Sequence, residues 1–119
     1  MAKGDNIQER LIDFAVEIIN LTSQFPKTPA GRHIADQLLR SGTSPAPNYA
    51  EARSAESYND FIHKMKIALK ELNETRIWIE IIQRSNLVPE DIVMDAFNEC
   101  NELCRIISAS IKTAIQNRR

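Results

Sequence analysis

Glycine is scarce in this sequence, with only three among its 119 residues. Tight β-hairpin turns need residues that adopt positive φ, and glycine supplies most of them. A protein rich in β-hairpins is therefore disfavoured. The chain also contains no Gly-rich phosphate-binding loop of the Walker type, so an enzyme of that class is not indicated.

Long apolar runs are missing too, since no stretch approaches the ~20 residues that a membrane-spanning helix needs. The N-terminal residues are not followed by the apolar segment of a signal peptide. The two cysteines, Cys100 and Cys104, stand four residues apart, which places both on one helical face and disfavours a disulfide framework. Reduced, buried and inert thiols suit a cytoplasm, so we expect a cytoplasmic protein without membrane contact.

Residues that carry chemistry are few. The sequence has two histidines, His33 and His63. A carboxylate di-metal site in a helical bundle needs two Glu-x-x-His pairs, whereas this chain has one related pair, Asp60 and His63. Neither cysteine has a histidine nearby in sequence. We therefore expect no metal, no cofactor, no small-molecule substrate and no catalytic activity.

Apolar residues recur with helical spacing along nearly the whole chain. This pattern predicts four helices, over about residues 6–25, 29–53, 55–85 and 89–116. Asp5 or Asn6 is placed to cap the first helix and Ser54 the third. Because the links are short, neighbouring helices run antiparallel. We therefore expect a single domain over residues 1–119 that is all-α, an antiparallel up-down four-helix bundle.

Two prolines, Pro45 and Pro47, interrupt the second predicted helix. Each lacks a backbone N–H group, so the pair must at least kink the helix. Ser44 is placed to cap a continuation, because proline is tolerated in a first helical turn. The sequence leaves open whether the second helix is kinked or broken near Pro45-Pro47.

The third predicted helix is apolar beyond its core-facing stripe. Four residues lie off that stripe: Ile67, Ile77, Trp78 and Ile81. A helix that is apolar on more than one side is usually covered on more than one side. Either the core is wide, with two other helices packed on this one, or these residues form a subunit interface with Trp78 as its anchor. The interface hypothesis predicts a solution mass well above the 13.5 kDa of one chain.

Charge is distributed unevenly along the chain. Residues 71–104 carry a net charge of −6, whereas residues 105–119 carry +4 and residues 27–70 carry +3. Folding the bundle gathers seven basic residues towards one end, namely Arg53, Lys64, Lys66, Arg105, Lys112, Arg118 and Arg119. Such an arrangement either complements the helix dipoles or forms a basic end that binds RNA phosphates. The overall net charge of −1 is not typical of a nucleic-acid-binding protein.

Several polar residues interrupt the apolar pattern where the helices face one another. They are Arg40, Asn48, Glu51, Glu71 and Glu74. A partly buried Arg–Glu–Asn network of this kind fixes helix register. A pocket for a ligand or partner is the alternative.

The middle of the chain carries a set of motifs that resembles one bacterial family. The motifs are Gln37-Leu38-Leu39-Arg40-Ser41-Gly42-Thr43-Ser44, Asn48-Tyr49-Ala50-Glu51-Ala52, Asp60-Phe61-Ile62-His63-Lys64, Ile67-Ala68-Leu69-Lys70-Glu71 and Glu74-Thr75-Arg76. The family is the four helix bundle proteins, also known as the 23S ribosomal RNA intervening-sequence proteins. The resemblance spans nearly the whole chain and implies a four-helix bundle that forms ring-like homopentamers.

The resemblance also bears on function. It extends distantly to the accessory variability protein of diversity-generating retroelements, which binds a reverse transcriptase and nucleic acid through a basic surface. That protein is strongly basic, whereas this chain is slightly acidic, so a nucleic-acid contact here has to use the basic end alone. We therefore expect a homo-oligomeric adaptor that binds RNA or a nucleic-acid-handling protein. The alternative is a structural or protein-interaction oligomer that binds no nucleic acid.

Overall fold

The helices predicted from the apolar pattern are present in a computed structural model, which describes residues 3–118. Within that range there are five helical segments: α1 (Lys3–Thr22), α2 (Pro29–Thr43), α3 (Pro45–Arg53), α4 (Tyr58–Ser85) and α5 (Glu90–Asn117). Segments α2 and α3 form one rod that bends by 17° at residue 44. Four rods therefore pack as a bundle 51 Å long, which confirms the predicted fold class.

The bend at residue 44 is a kink and not a break. Ser44 keeps right-handed helical dihedral angles, with φ −74° and ψ −36°. Pro45 and Pro47 cannot donate the backbone hydrogen bonds that would reach Ser41 and Thr43 in an uninterrupted helix, which accounts for the bend, and both are tolerated in the first turn of α3. The Asn48 backbone N–H donates to the Ser44 carbonyl oxygen at 3.3 Å, and the Asn48 amide donates to the same oxygen at 3.0 Å. The helix therefore continues through the prolines.

The helix starts differ from two of the predicted caps. Helix α4 begins at Tyr58, and its N-cap is Ser57, whose hydroxyl accepts a hydrogen bond from the Asp60 N–H at 3.0 Å. The prediction of Ser54 as this cap is therefore wrong. Helix α1 already includes Lys3, so Asp5 lies in its first turn and does not cap it. A carboxylate there still favours the helix, because it faces the positive end of the dipole.

The arrangement of the rods places α1 and α4 at diagonal corners of the bundle. Helix α1 packs against α2, α3 and α5, and α4 packs against the same three segments, while no contact joins α1 to α4 within residues 3–118. In an up-down bundle, diagonal helices run in the same direction. Helices α1 and α4 are therefore parallel and present their outer surfaces to different sides of the molecule.

A crossing point on α2 fixes the relative heights of these two parallel helices. Ser41 and Thr75 are the buried polar residues of the described core, and their hydroxyl oxygens lie 2.9 Å apart. The next residue, Gly42, is packed so closely on α1 that a Cβ there would lie 2.8 Å from the Ile18 side chain. Because Ser41 and Gly42 are adjacent, Ile18 of α1 and Thr75 of α4 lie at about the same level of the bundle.

Gly31 is required where the chain turns into α2. It is buried, and its N–H donates to the Thr28 hydroxyl at 3.1 Å. A Cβ at this position would lie 2.1 Å from the carbonyl oxygen of Pro26. Backbone atoms cannot move aside as a flexible side chain can, so the close approach of the two segments depends on glycine.

We expect Gly31→Ala to destabilise the fold by about 1–3 kcal/mol, because the added methyl group overpacks against backbone. Thermal unfolding followed by circular dichroism measures the effect. Gly4→Ala is the matched control, since its Cβ meets the end of the flexible Arg53 side chain instead. Equal melting temperatures for the two variants would contradict this account of Gly31.

Candidate interaction surfaces

The outer side of α4 carries exposed apolar residues. Ile77 and Ile81 are 48% and 40% exposed. Ile77 stands two residues from both Thr75 and Ile79, which are fully buried. Its side chain therefore lies about 200° around the helix axis from theirs and faces away from the core. The predicted interface residues thus divide into two groups, since Ile67 and Trp78 are only partly exposed.

Trp78 is held against the bundle and does not project from it. Its indole N–H donates to a Glu74 carboxylate oxygen at 3.0 Å. The edge of its ring meets the ring of His33 on α2, with the ring centroids 6.0 Å apart. Trp78 therefore lies over the junction of α2 and α4, beside the exposed pair Ile77 and Ile81.

The predicted polar network is divided between two places. Arg40 pairs with Glu71 at 2.8 Å and also with Glu74, so these residues and Trp78 link α2 to α4. The Arg40 side chain is 49% exposed and the Glu71 side chain 13%, so this group is partly buried at the edge of the junction between α2 and α4. Because Arg40 remains open to water, its ion pairs contribute only about 0.2–1 kcal/mol to stability.

The other two residues predicted for the network lie apart from Arg40. Asn48 bonds within its own helix, to the Ser44 carbonyl oxygen and to the Ser44 hydroxyl, at 3.0 Å each. Glu51 pairs with Lys64 at 2.8 Å and so links α3 to α4. The structure does not bring these residues into one group with Arg40, Glu71 and Glu74.

Helix α1 carries a second exposed apolar stripe, which sequence reasoning missed. Ile12, Val16 and Ile19 are 40%, 49% and 50% exposed. Val16 stands two residues from both Phe14 and Ile18, which are buried, so it is rotated by about 200° from each of them. The signal was present in the sequence, because these residues have the same spacing of four and three as the core stripe.

Most of the basic residues predicted to form one end already have partners. Arg53 pairs with Asp5 at 2.7 Å, Lys64 pairs with Glu51, and Arg105 pairs with Glu102. The Arg118 guanidinium lies 4.1 Å from the centre of the Tyr58 ring, and it also donates to Asn59 at 3.3 Å. Arg119 lies outside the described residues. The positive electrostatic potential at this end of the bundle is therefore weaker than the number of basic residues indicates.

Lys66 and Lys112 are the exceptions among the six of these residues that the structure describes. They lie together in a groove between α4 and α5, which is also lined by Leu69, Ser108 and Gln116. No carboxylate lines this groove, and neither lysine takes part in an ion pair among residues 3–118. These two ammonium groups remain available to an anionic partner.

The groove between α1 and α5 has the opposite character. Burial raises the pKa of Glu17, and the nearby carboxylates of Asp95 and Glu99 raise it further. Arg10 neutralises part of this charge by donating to both oxygens of Glu99, at 3.1 and 2.7 Å. The remaining negative charge makes this side of the bundle unfavourable for RNA.

The two cysteines differ in their surroundings. Cys100 is fully buried, and its thiol lies 3.3 Å from the Leu72 carbonyl oxygen. Cys104 is only partly buried, so the prediction that both thiols lie in the core is wrong for it. The neighbouring thiol of Cys104 and burial together raise the pKa of Cys100, whereas the neighbouring Cys100 lowers the pKa of Cys104.

We expect iodoacetamide to alkylate Cys104 in the native protein at least about tenfold faster than Cys100, because the accessible thiolate is the nucleophile. Peptide mass spectrometry at successive times measures both rates. Cys104→Ser is the control, and it should remain unlabelled until the protein is unfolded. Equal labelling of both thiols in the native state would contradict the assignment.

The described part of the chain lacks two further kinds of feature. Residues 3–118 contain no group of three or more His, Cys, Asp or Glu side chains arranged to hold a metal ion. None of the helices in the same range has the length and apolar character needed to cross a membrane. The features that stand out are therefore the exposed apolar residues of α1 and α4 and the groove that holds Lys66 and Lys112.

Comparison with known proteins identified a family and similar solved structures. The family model described as "23S rRNA-intervening sequence protein" matches residues 5–109. A solved structure of a protein of unknown function from the S23 ribosomal protein family of Bacteroides thetaiotaomicron is 34% identical. The match covers 93% of this chain and 99% of that chain, with a TM-score of 0.85. No curated protein sequence matches this chain.

Proposed function

The chain belongs to the 23S rRNA-intervening sequence protein family, and from that premise we propose that it is a non-catalytic, self-associating protein of the cytoplasm. The family description states no activity, and the similar solved protein is described as one of unknown function. The proposal therefore depends on the surfaces of this chain. In it, several copies form a homo-oligomer, and the resemblance noted above favours five.

Exposed apolar side chains carry this proposal. Ile77 and Ile81 lie one helical turn apart on the outer side of α4, beside the fixed ring of Trp78, and are 48% and 40% exposed. A contiguous apolar surface on a water-soluble domain marks a contact with another molecule. The Trp78 ring lies at the edge of these apolar residues, and large, rigid aromatic rings of this kind are enriched in protein interfaces.

We expect Ile77→Glu/Ile81→Glu to reduce the solution mass to the 13.5 kDa of one chain, because two carboxylates cannot be buried in an apolar contact without partners. Light scattering coupled to size exclusion measures the mass at micromolar concentration. Ile115→Glu is the matched control, since Ile115 is 49% exposed at the far end of α5. It should keep the wild-type mass.

Two results would contradict self-association through α4. One is a wild-type protein that runs as a single chain. The other is a double variant that keeps the wild-type mass while circular dichroism shows a helical spectrum. A helical spectrum with a reduced mass supports the proposal, because it excludes unfolding as the cause.

RNA binding is the second candidate function, and the groove of Lys66 and Lys112 favours it. Two ammonium groups without carboxylate partners lie beside Ser108 and Gln116, whose side chains can also donate hydrogen bonds to phosphate. The patch is small, so the affinity must be weak and sensitive to salt. A ribonucleoprotein partner with an exposed phosphate backbone meets the same requirement.

We expect total bacterial RNA to be retained at low salt and released at moderate salt, and Lys112→Glu to weaken retention. Filter binding across a salt series measures this, and the loss of one phosphate contact should make the slope of log K against log salt less negative by about 0.7 for single strands. Lys27→Glu changes the net charge equally at an exposed position in the other half of the bundle, and it should have little effect. No retention by the wild-type protein at any salt would leave protein–protein contact as the function.

A further inference from the structure

Two exposed apolar stripes lie on diagonal helices. The α1 stripe consists of Ile12, Val16 and Ile19, and the α4 stripe consists of Ile77 and Ile81. Because α1 and α4 occupy opposite corners of the bundle, the stripes lie on different sides of one molecule. A contact between two copies of the same stripe therefore leaves the other stripe in water.

We propose that the α4 stripe of one copy packs on the α1 stripe of a second copy. This inference rests on the self-association proposed above and names the surface that α4 meets. The contact is heterologous, since its two halves differ, and each copy offers one half of each kind. Repetition of such a contact covers both stripes on every copy, and it closes into a ring when the rotation between copies permits.

Charged residues beside the stripes are complementary. Glu9 and Asp13 flank the α1 stripe, and Lys66 and Lys70 precede the α4 stripe. All four side chains are exposed, and none takes part in an ion pair among residues 3–118. An acidic rim that meets a basic rim favours α1 against α4, whereas α4 placed alongside a parallel α4 brings like charges together.

The heights of these charges also match. Ile18 and Thr75 lie at about the same level, and α1 and α4 run in parallel with the same rise of about 1.5 Å per residue. On α1, Glu9 and Asp13 stand nine and five residues before Ile18. On α4, Lys66 and Lys70 stand nine and five residues before Thr75. Two copies placed side by side, without a shift along the bundle axis, therefore bring both acidic residues to the level of both lysines.

The apolar residues meet in the same register. Ile19 stands one residue after Ile18, and Ile77 stands two residues after Thr75. The two side chains therefore differ in height by one residue, or about 1.5 Å. The absence of an axial shift matters, because a shift repeated at every contact generates an open helical filament and not a closed ring. The register required by charge is thus the register required by closure.

Mixing two variants tests this pairing directly. The α1 variant is Val16→Glu/Ile19→Glu, and the α4 variant is Ile77→Glu/Ile81→Glu. Each alone should have the 13.5 kDa mass of one chain. Mixed in equal amounts, they retain one intact pairing, between α4 of the first and α1 of the second. Light scattering at about 100 μM should therefore show a species of twice the single-chain mass.

The outcomes separate this inference from the proposal on which it rests. A wild-type protein that is a single chain overturns self-association itself. A wild-type oligomer that survives the α1 substitutions, or a mixture that stays at the single-chain mass, overturns the pairing and leaves self-association through α4 intact.

Charge reversal provides a second test of the register. Glu9→Lys/Asp13→Lys should weaken association at least about tenfold at low salt, because like charges then face each other. Adding Lys66→Glu/Lys70→Glu in the same chain should restore it. Glu56→Lys/Glu90→Lys changes the net charge equally at exposed positions, just before α4 and at the first residue of α5, and it should leave the mass unchanged. Failure of the fourfold variant to recover the wild-type mass, while its helical spectrum is retained, would refute the proposed register.

Discussion

A four-helix bundle covers only the inner side of each of its helices, and this constraint determines which apolar residues remain at the surface. Helices α1 and α4 each bury one apolar stripe completely, through residues such as Phe14 and Ile79. Each also carries a second apolar stripe, rotated to the opposite side, that the bundle cannot cover. Further burial needs another molecule, because no internal rearrangement of four rods covers both sides of two diagonal helices.

The exposed stripes of two copies can match only if α1 and α4 have a fixed position relative to each other along the bundle axis. The contacts of Ser41 with α4 and of Gly42 with α1 fix that position. A buried hydroxyl pair resists sliding, because a slip of one turn takes the Ser41 hydroxyl away from Thr75 and into an apolar core, whereas Thr75 keeps its bond to the Glu71 carbonyl oxygen at 2.8 Å. The close contact of Gly42 with Ile18 fixes α1 against the same point. A shape-dependent contact inside the bundle thus sets the positions of charges and apolar residues on its surface.

Much of the fold was predictable from the sequence, because helical periodicity and the proline positions are local signals. The kink at Ser44 follows from proline's tolerance of a first helical turn. The choice between Ser54 and Ser57 as the cap of α4 was harder, since both are serines at the end of an apolar pattern. Asp60, three residues after Ser57, accompanies the observed cap.

The candidate surfaces were less predictable, because charges act through neighbours that sequence does not place. Arg53 and Lys64 looked like free cations until Asp5 and Glu51 were found beside them. Asn48 looked like a member of a network across helices, but it bonds within its own helix. The α1 stripe was visible in the spacing of Ile12, Val16 and Ile19, and counting both sides of that helix would have found it.

The central claim is that α1 of one copy meets α4 of another, and zero-length carbodiimide cross-linking tests it most directly. The account predicts isopeptide links that join Glu9 or Asp13 to Lys66 or Lys70, found between chains in a mixture of isotopically light and heavy protein. Within one chain these residues lie on diagonal helices that share no contact. The pair Lys64 and Glu51, 2.8 Å apart, provides a positive control inside each chain. Abundant linkage of that pair without any link between α1 and α4 of different chains would contradict the account.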